Sequence, residues 1–152
     1  MPSAKPVTSL AHKSLYDTSV YINAIRSRAY YEALLPHFSR SLLSTYFCAV
    51  VALELKAGCL TPAAHARVEA FVRPFRRTGR LVTPNFADWE EAGQILARIG
   101  RDRPDLKDKR PALVNDTLIA LCGRRLGALV YTANEEDFAL VRQYKRFRFA
   151  VV

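Results

Sequence analysis

Ser14-Leu15-Tyr16-Asp17-Thr18-Ser19-Val20-Tyr21-Ile22 is the stretch on which the fold turns. A short apolar run ends at a carboxylate and a hydroxyl. The residues after it take up helical spacing at Val20, Ile22, Ala24 and Ile25. Such a segment reads as strand, tight turn and helix (residues 19–28), with Asp17 or Thr18 near the helix start.

The same alternation recurs along the chain. Residues 42–47 are apolar and rich in β-formers, and predict a second buried strand. Residues 49–57 turn helical, with Gly58 as the stop. Pro62 opens a helix to about residue 77, amphipathic through Ala66, Ala70, Phe71 and Phe75, which Pro74 is expected to end or kink near its last turn. Residues 81–83 predict a third strand, closed by Pro84. Asp88 is expected to cap a helix through Ala92, Ile95, Leu96 and Ile99, ended by Gly100. Residues 101–110 are highly charged and read as an exposed loop. Pro111 begins a helix to residue 126, with Leu113, Val114, Leu118, Leu121 and Cys122 on its apolar side and Gly127 as terminator. Residues 128–131 predict a fourth strand and residues 135–143 a short helix with an acidic first turn. Residues 147–152 predict a last strand. Residues 1–13, with two prolines and no apolar period, read as a loose arm on a single domain spanning 1–152.

Strands alternating with helices imply a mainly parallel sheet of four or five strands with helices on both faces. In such sheets ligands bind beyond the carboxyl ends of the strands. Asp17 and the segment 132–137 both follow strands and are expected to face one crevice.

Half of the 152 residues are hydrophobic, enough for one real core. Lys and Arg number 23 against 14 Asp and Glu, a net charge of +9. That surplus attracts polyanions and speeds encounter, but RNA, DNA, an acidic protein and a membrane surface all fit it. Cys48, Cys59 and Cys122 form no zinc pattern, and His12, His37 and His65 show no pairing with them. They read as reduced thiols. The N-terminal residues lack the apolar stretch of a signal peptide. The longest nearly apolar run, 46–55, contains Glu54 and is too short to span a bilayer. A cytoplasmic protein with no membrane association is expected.

Four acids sit in unusual places. Asp17 ends an apolar run, Glu54 interrupts one, Asp116 lies early in a helix beside Asn115, and Asp137 follows a strand. Singly, each has a structural explanation: Asp17 as an N-cap, Glu54 as a solvent-facing helix residue, Asp116 and Asp137 as partners of helix dipoles. Together they have a chemical logic. Carboxylates held close repel one another and are driven towards their neutral forms. A divalent cation removes that penalty, and Mg²⁺ and Mn²⁺ prefer oxygen ligands. Such a cation activates water and stabilises charge on a phosphodiester in its transition state.

The set Leu15-Tyr16-Asp17-Thr18-Ser19, Val50-Val51-Ala52-Leu53-Glu54-Leu55-Lys56-Ala57-Gly58, Asn115-Asp116-Thr117-Leu118-Ile119-Ala120 and Thr132-Ala133-Asn134-Glu135-Glu136-Asp137-Phe138 resembles, in order, the motifs of the PIN-domain family, and within it the VapC-type toxins of bacterial toxin–antitoxin pairs. One departure is Tyr131, where a smaller aliphatic residue is usual. The resemblance implies a three-layer α/β/α sandwich and Mg²⁺- or Mn²⁺-dependent endoribonuclease activity. It places Asp17, Glu54, Asp116 and Asp137 as the catalytic, metal-holding acids. Thr18, Asn115, Thr132 and Asn134 take supporting polar positions. It further implies a cognate antitoxin and a homodimer.

Three basic clusters stand out, Arg73, Arg76, Arg77 and Arg80; Arg124 and Arg125; and Lys145, Arg146 and Arg148, of which the first and third are candidate RNA contacts. Aromatics interleave the first and third, suited to stacking on unpaired bases. Solvated faces explain the same runs, and helix-dipole placement explains Arg124 and Arg125. A non-catalytic PIN-type RNA-binding or regulatory module is the alternative function. A haloacid-type phosphatase would need a second Asp where Ser19 stands, and a receiver domain would need an acidic pair and a late Lys that are not found.

Overall fold

The computed structural model describes residues 12–152, so all of the expected arm except His12 and Lys13 lies outside the described residues. Strands and helices alternate as expected: β1 (Ser14–Tyr16), α1 (Thr18–Arg26), α2 (Arg28–Ser41), β2 (Thr45–Cys48), α3 (Ala49–Ala57), α4 (Pro62–Thr78), β3 (Leu81–Val82), α5 (Phe86–Asp102), α6 (Leu113–Leu126), β4 (Leu129–Thr132), α7 (Glu135–Tyr144) and β5 (Arg148–Val151). The strands form one five-stranded sheet in the order β3-β2-β1-β4-β5, and every neighbouring pair is parallel. From the central β1 the chain builds outward to β2 and β3, then crosses back to β4 and β5. The winding reverses between β1 and β4, and in open parallel sheets the ligand crevice lies at that reversal, beyond the carboxyl ends.

All three residues of β1 are buried, as a central strand covered on both faces requires. Register assigns each side chain a face. Tyr16 lies opposite Tyr131, and on their face Tyr16 meets Tyr21 of α1 and Phe38 of α2, while Phe47 meets Phe75 of α4. Leu15 and Val130 point to the other face, where α6 crosses, and Phe149, paired with Val130, meets Phe138 of α7. α5 packs on α6. The result is the three-layer sandwich. Leu15, Phe47, Ile99, Leu118, Val130 and Phe138 are at most 1% exposed, each contributing about 1.5–3 kcal/mol by burial.

Several boundaries differ from expectation, each for a local reason. The segment 42–47 is a 3-10 turn (Leu42–Ser44) before β2; the Ser44 and Thr45 hydroxyls donate to the Ser41 carbonyl at 3.0 and 2.7 Å and satisfy the end of α2. Pro74 does not end α4, which runs on to Thr78. The cap of α5 is Asn85, three residues before Asp88. The two form a reciprocal capping box, with Asp88 N–H donating to Asn85 Oδ1 and Asn85 N–H to Asp88 Oδ2. Gly100 lies inside α5, with the Arg110 guanidinium against it. The segment 101–110 is not simply exposed: it holds the end of α5 and a 3-10 turn, and Lys109 and Arg110 are half-buried. Pro111 falls in another 3-10 turn, and α6 begins at Leu113.

α6 lies close on the sheet because residue 123 has no side chain, and Gly127 ends the helix in the left-handed region at φ 67°. A Cβ at residue 123 would overlap the Val130 Cγ2 methyl, with Leu15 Cδ2 at 3.7 Å behind it, and Val130 has little rotamer freedom with which to yield. Gly123→Ala is expected to lower stability by about 1–3 kcal/mol, read as a lower urea midpoint. An unchanged midpoint would mean that α6 does not rest on β4 this closely.

Candidate active site

Asp17 follows β1 directly, and its backbone N–H donates to Tyr131 O at 2.8 Å, fixing the carboxyl end of β1 against β4. It occupies the N-cap position of α1, yet its side chain makes no cap hydrogen bond. The carboxylate points into the crevice instead. It is 3% exposed, and Oδ2 accepts from Ser19 Oγ at 2.6 Å and from the buried Thr132 Oγ1 at 2.9 Å. Thr132 Oγ1 in turn accepts from Asn134 N–H at 2.9 Å, and Ser19 Oγ from Ala133 N–H at 3.0 Å. Two hydroxyls thus stitch the ends of β1 and β4 around one buried carboxylate. Ser19 was not among the expected site residues. It stands two residues after Asp17, but its role exists only once β4 is alongside.

Glu54 is half-buried on α3. Its Oε2 accepts from Thr18 Oγ1, and its Oε1 from Asn115 Nδ2 at 3.0 Å. Asp137, in the first turn of α7, is buried. Its Oδ2 accepts from Asn134 Nδ2 at 2.8 Å, and its N–H donates to Asn134 Oδ1 at 3.3 Å, which caps the helix. All four expected supporting residues, Thr18, Asn115, Thr132 and Asn134, are therefore found on the acids themselves or on their partners.

Asp116, on the first turn of α6, faces the other three acids. Its carboxyl is pushed up to about 8, first by burial, then by the charges of Asp17, Asp137 and Glu54, and by a hydrogen bond to Asp137 that favours the protonated form. A helix N-terminus alone would lower it, so burial and crowding together outweigh the dipole. Asp137 Oδ1 is buried and accepts no hydrogen bond from a conventional donor. The Lys109 ammonium is 2.7 Å from it, an ion contact outside hydrogen-bond geometry, and also donates to Glu136 Oε1 at 2.9 Å. Lys109 too was missed, hidden in a segment read as loop.

The donors fit a hard cation, since every one is a carboxylate oxygen. The raised Asp116 marks crowded negative charge, of which the single Lys109 ammonium at Asp137 Oδ1 offsets only part. Among the described residues, however, no three His, Cys, Asp or Glu side chains already stand as a metal cage: hydroxyls and amides hold Asp17, Glu54 and Asp137 in their present positions.

The expected RNA-contact clusters lie elsewhere. Arg80 directly precedes β3, and Lys145, Arg146 and Arg148 lead into and begin β5, so they sit at the amino end of the parallel sheet, away from the acids. Arg76 and Arg77 occupy the last turn of α4 beside them, and Arg73 is one turn earlier. Arg80 donates to the Thr45 carbonyl at 2.6 Å and to that of Leu42, and covers the Phe75 ring, which makes it a brace for β2. Arg76 pairs with Glu69 at 3.1 Å and Lys145 with Glu91. Arg148 donates to Gly127 O at 2.7 Å. The arginines the fold brings beside Glu54 are Arg26 and Arg67, which lie in no basic run of the sequence.

No family model and no curated protein matches the sequence. The fold does match solved structures. A chain of the DNA-bound VapBC from Salmonella typhimurium superposes with a TM-score of 0.68 at 21% identity, over 92% of this chain and 98% of that one. A chain of VapBC2 from Rickettsia felis, bound to a DNA fragment from the promoter, superposes with a TM-score of 0.58 at 17% identity, over 91% and 98%. The PIN-like architecture expected from the sequence is thus the architecture found. Among the described residues no helix is long and apolar enough to cross a membrane.

With divalent cations removed, stability is expected to fall as pH rises from about 4 to about 8. The folded state holds the Asp116 proton, at about 8, more tightly than the unfolded chain, at the ordinary 3.8, so the destabilisation is complete only above the folded value. Asp116→Asn should remove this slope and raise the metal-free Tm at pH 8. For a chain of this size each 1 kcal/mol regained is worth about 2–4 °C. A slope that survives the substitution would assign it to another group.

Proposed function

We propose that the chain is a metal-dependent endoribonuclease of the PIN-domain family, acting as the VapC-type toxin of a toxin–antitoxin pair in the cytoplasm. The observation that carries the reading is the half-buried Asp116 carboxyl, at the winding reversal of the sheet and crowded by three further acids. A structural role does not call for four carboxylates converging at a crevice, whereas phosphodiester hydrolysis assisted by a cation does. The fold shared with VapBC chains supports the toxin assignment, and with it an antitoxin partner; a homodimer belongs to the proposal only through the resemblance of the sequence motifs.

Asp17, Glu54, Asp116 and Asp137 would hold Mg²⁺ or Mn²⁺. When bound, the cation supplies a water of lowered pKa and neutralises charge on the phosphate. The chain does the rest. Ser19 and Thr132 aim Asp17; Thr18 and Asn115 aim Glu54; Asn134 aims Asp137. Asp116 must give up its proton before it can act as a ligand, so apparent metal affinity should rise with pH up to about 8. Lys109, at the rim of the cluster, offsets part of the charge that would repel a phosphate.

Purified protein should cut a labelled RNA pool with Mg²⁺ or Mn²⁺ and not with EDTA. Asp17→Asn should abolish cutting, and Thr132→Val should slow it by about 10–100-fold, the usual cost of losing a residue that orients a ligand. At limiting metal the rate should climb between pH 6 and pH 8. Cutting by Asp17→Asn at the native rate would end the metal-site reading. RNA binding without cutting under any metal would favour the non-catalytic module.

A further inference from the structure

Beside the carboxylate cluster, a cavity of about 160 Å³ opens where α1, α3 and α4 meet. Glu54 belongs to both: it lines the cavity and accepts hydrogen bonds from Thr18 and Asn115 in the cluster. Ile22 and Ile25 of α1, Leu55 of α3 and Ala64 of α4 give it apolar walls. Arg26 and Arg67 stand at it from different helices. Both arginines are exposed, and no salt bridge among the described residues engages either.

Three features of this cavity point the same way. It is smaller than ordinary ligand pockets, which start at about 300 Å³, and has room for one planar ring system. Its aliphatic walls favour the face of a base withdrawn from water. Its two guanidiniums match phosphate geometry, and they stand where a strand crossing the acidic cluster most needs compensating charge. A base inside a duplex cannot enter such a recess, but one on a single strand can.

We propose that this cavity receives the base of the nucleotide next to the scissile phosphate of a single-stranded RNA, with Arg26 and Arg67 on the flanking phosphates. The proposal rests on the nuclease reading of the carboxylates. An acidic peptide would meet the charge of the arginines but, lacking a base, would leave the apolar recess unfilled.

The test is fluorescence anisotropy with a short labelled single-stranded RNA in EDTA, over a salt series, followed by cleavage with Mn²⁺. The double variant Arg26→Ala/Arg67→Ala should bind at least about tenfold more weakly, and its log Kd against log salt slope should flatten by about 1.4, two phosphate contacts at about 0.7 each on a single strand. Ala64→Trp, which fills the recess, should weaken RNA binding about tenfold, within the range of one lost base contact, and leave binding of an abasic strand of the same length unchanged. An unchanged slope in the double variant overturns the proposal. So does an equal effect of Ala64→Trp on both strands, or polyglutamate competing as well as RNA through the same arginines. Native cutting by the arginine variants sinks the cavity alone. Arginine-dependent binding with no cutting by the wild type sinks the nuclease reading, and the assignment to a scissile phosphate with it.

Discussion

A carboxylate taken out of water must be hydrogen-bonded or it destabilises the fold. Asp17 meets that condition where β1 and β4 end side by side. Thr132 supplies one donor from β4, Ser19 another from the first turn of α1, and the Asp17 backbone N–H ties the junction to Tyr131. Because β1 is the central strand and β4 begins the second half of the sheet, this is also where the two halves of the sheet join. The other acids are placed by elements that pack around it: Glu54 by α3, Asp116 by α6 lying close on the sheet at Gly123, and Asp137 by α7. Each of these elements buries apolar side chains, and that burial holds mutually repelling groups at one crevice.

Charge is sorted by the direction of the sheet. Its carboxyl end gathers the four acids. Its amino end gathers the basic runs, several of them tied to backbone carbonyls or to acidic partners. The net charge of +9 can draw a polyanion towards the molecule as a whole, but the end that carries most of the basic runs is not the end that holds the acids. Close to the acids the positive groups are few: Lys109 at the Asp137 rim, and Arg26 and Arg67 beside Glu54. A substrate held there needs a flexible backbone that can reach both the arginines and the carboxylates.

The turn at Asp17, the helix carrying Glu54 and the paired Asn115 and Asp116 were legible in the sequence because each is a local event: an apolar run ended or interrupted by an acid. The parallel sheet was legible because its strands and helices alternate. What stayed hidden depends on partners distant in the chain. Ser19 is an ordinary turn residue until Thr132, 113 residues away, lies beside it. α2 was not read from the sequence, although Tyr30, Leu34 and Phe38 keep helical spacing on the face it packs against the core; none of its residues is fully buried, and it is also fastened from far off, as by the Tyr30 hydroxyl donating to the Val152 carbonyl. Asn85 and Asp88 both belong to a capping box, and the sequence shows the acid more plainly than the cap. Adjacent arginines advertise a basic surface, yet only topology tells which end of the sheet they occupy, so Arg26 and Arg67 passed unnoticed.

The proposed nuclease activity requires the four acids to form one cation site, with the proton on Asp116 leaving as the cation binds. The most direct measurement is a calorimetric Mn²⁺ titration at pH 7 in two buffers of different ionisation enthalpy, on the wild type and on Asp116→Asn. Saturable binding that releases close to one proton in the wild type, and none in a weakened Asp116→Asn, is the expected result. Absence of binding, or binding whose proton release is the same in both proteins, would contradict it.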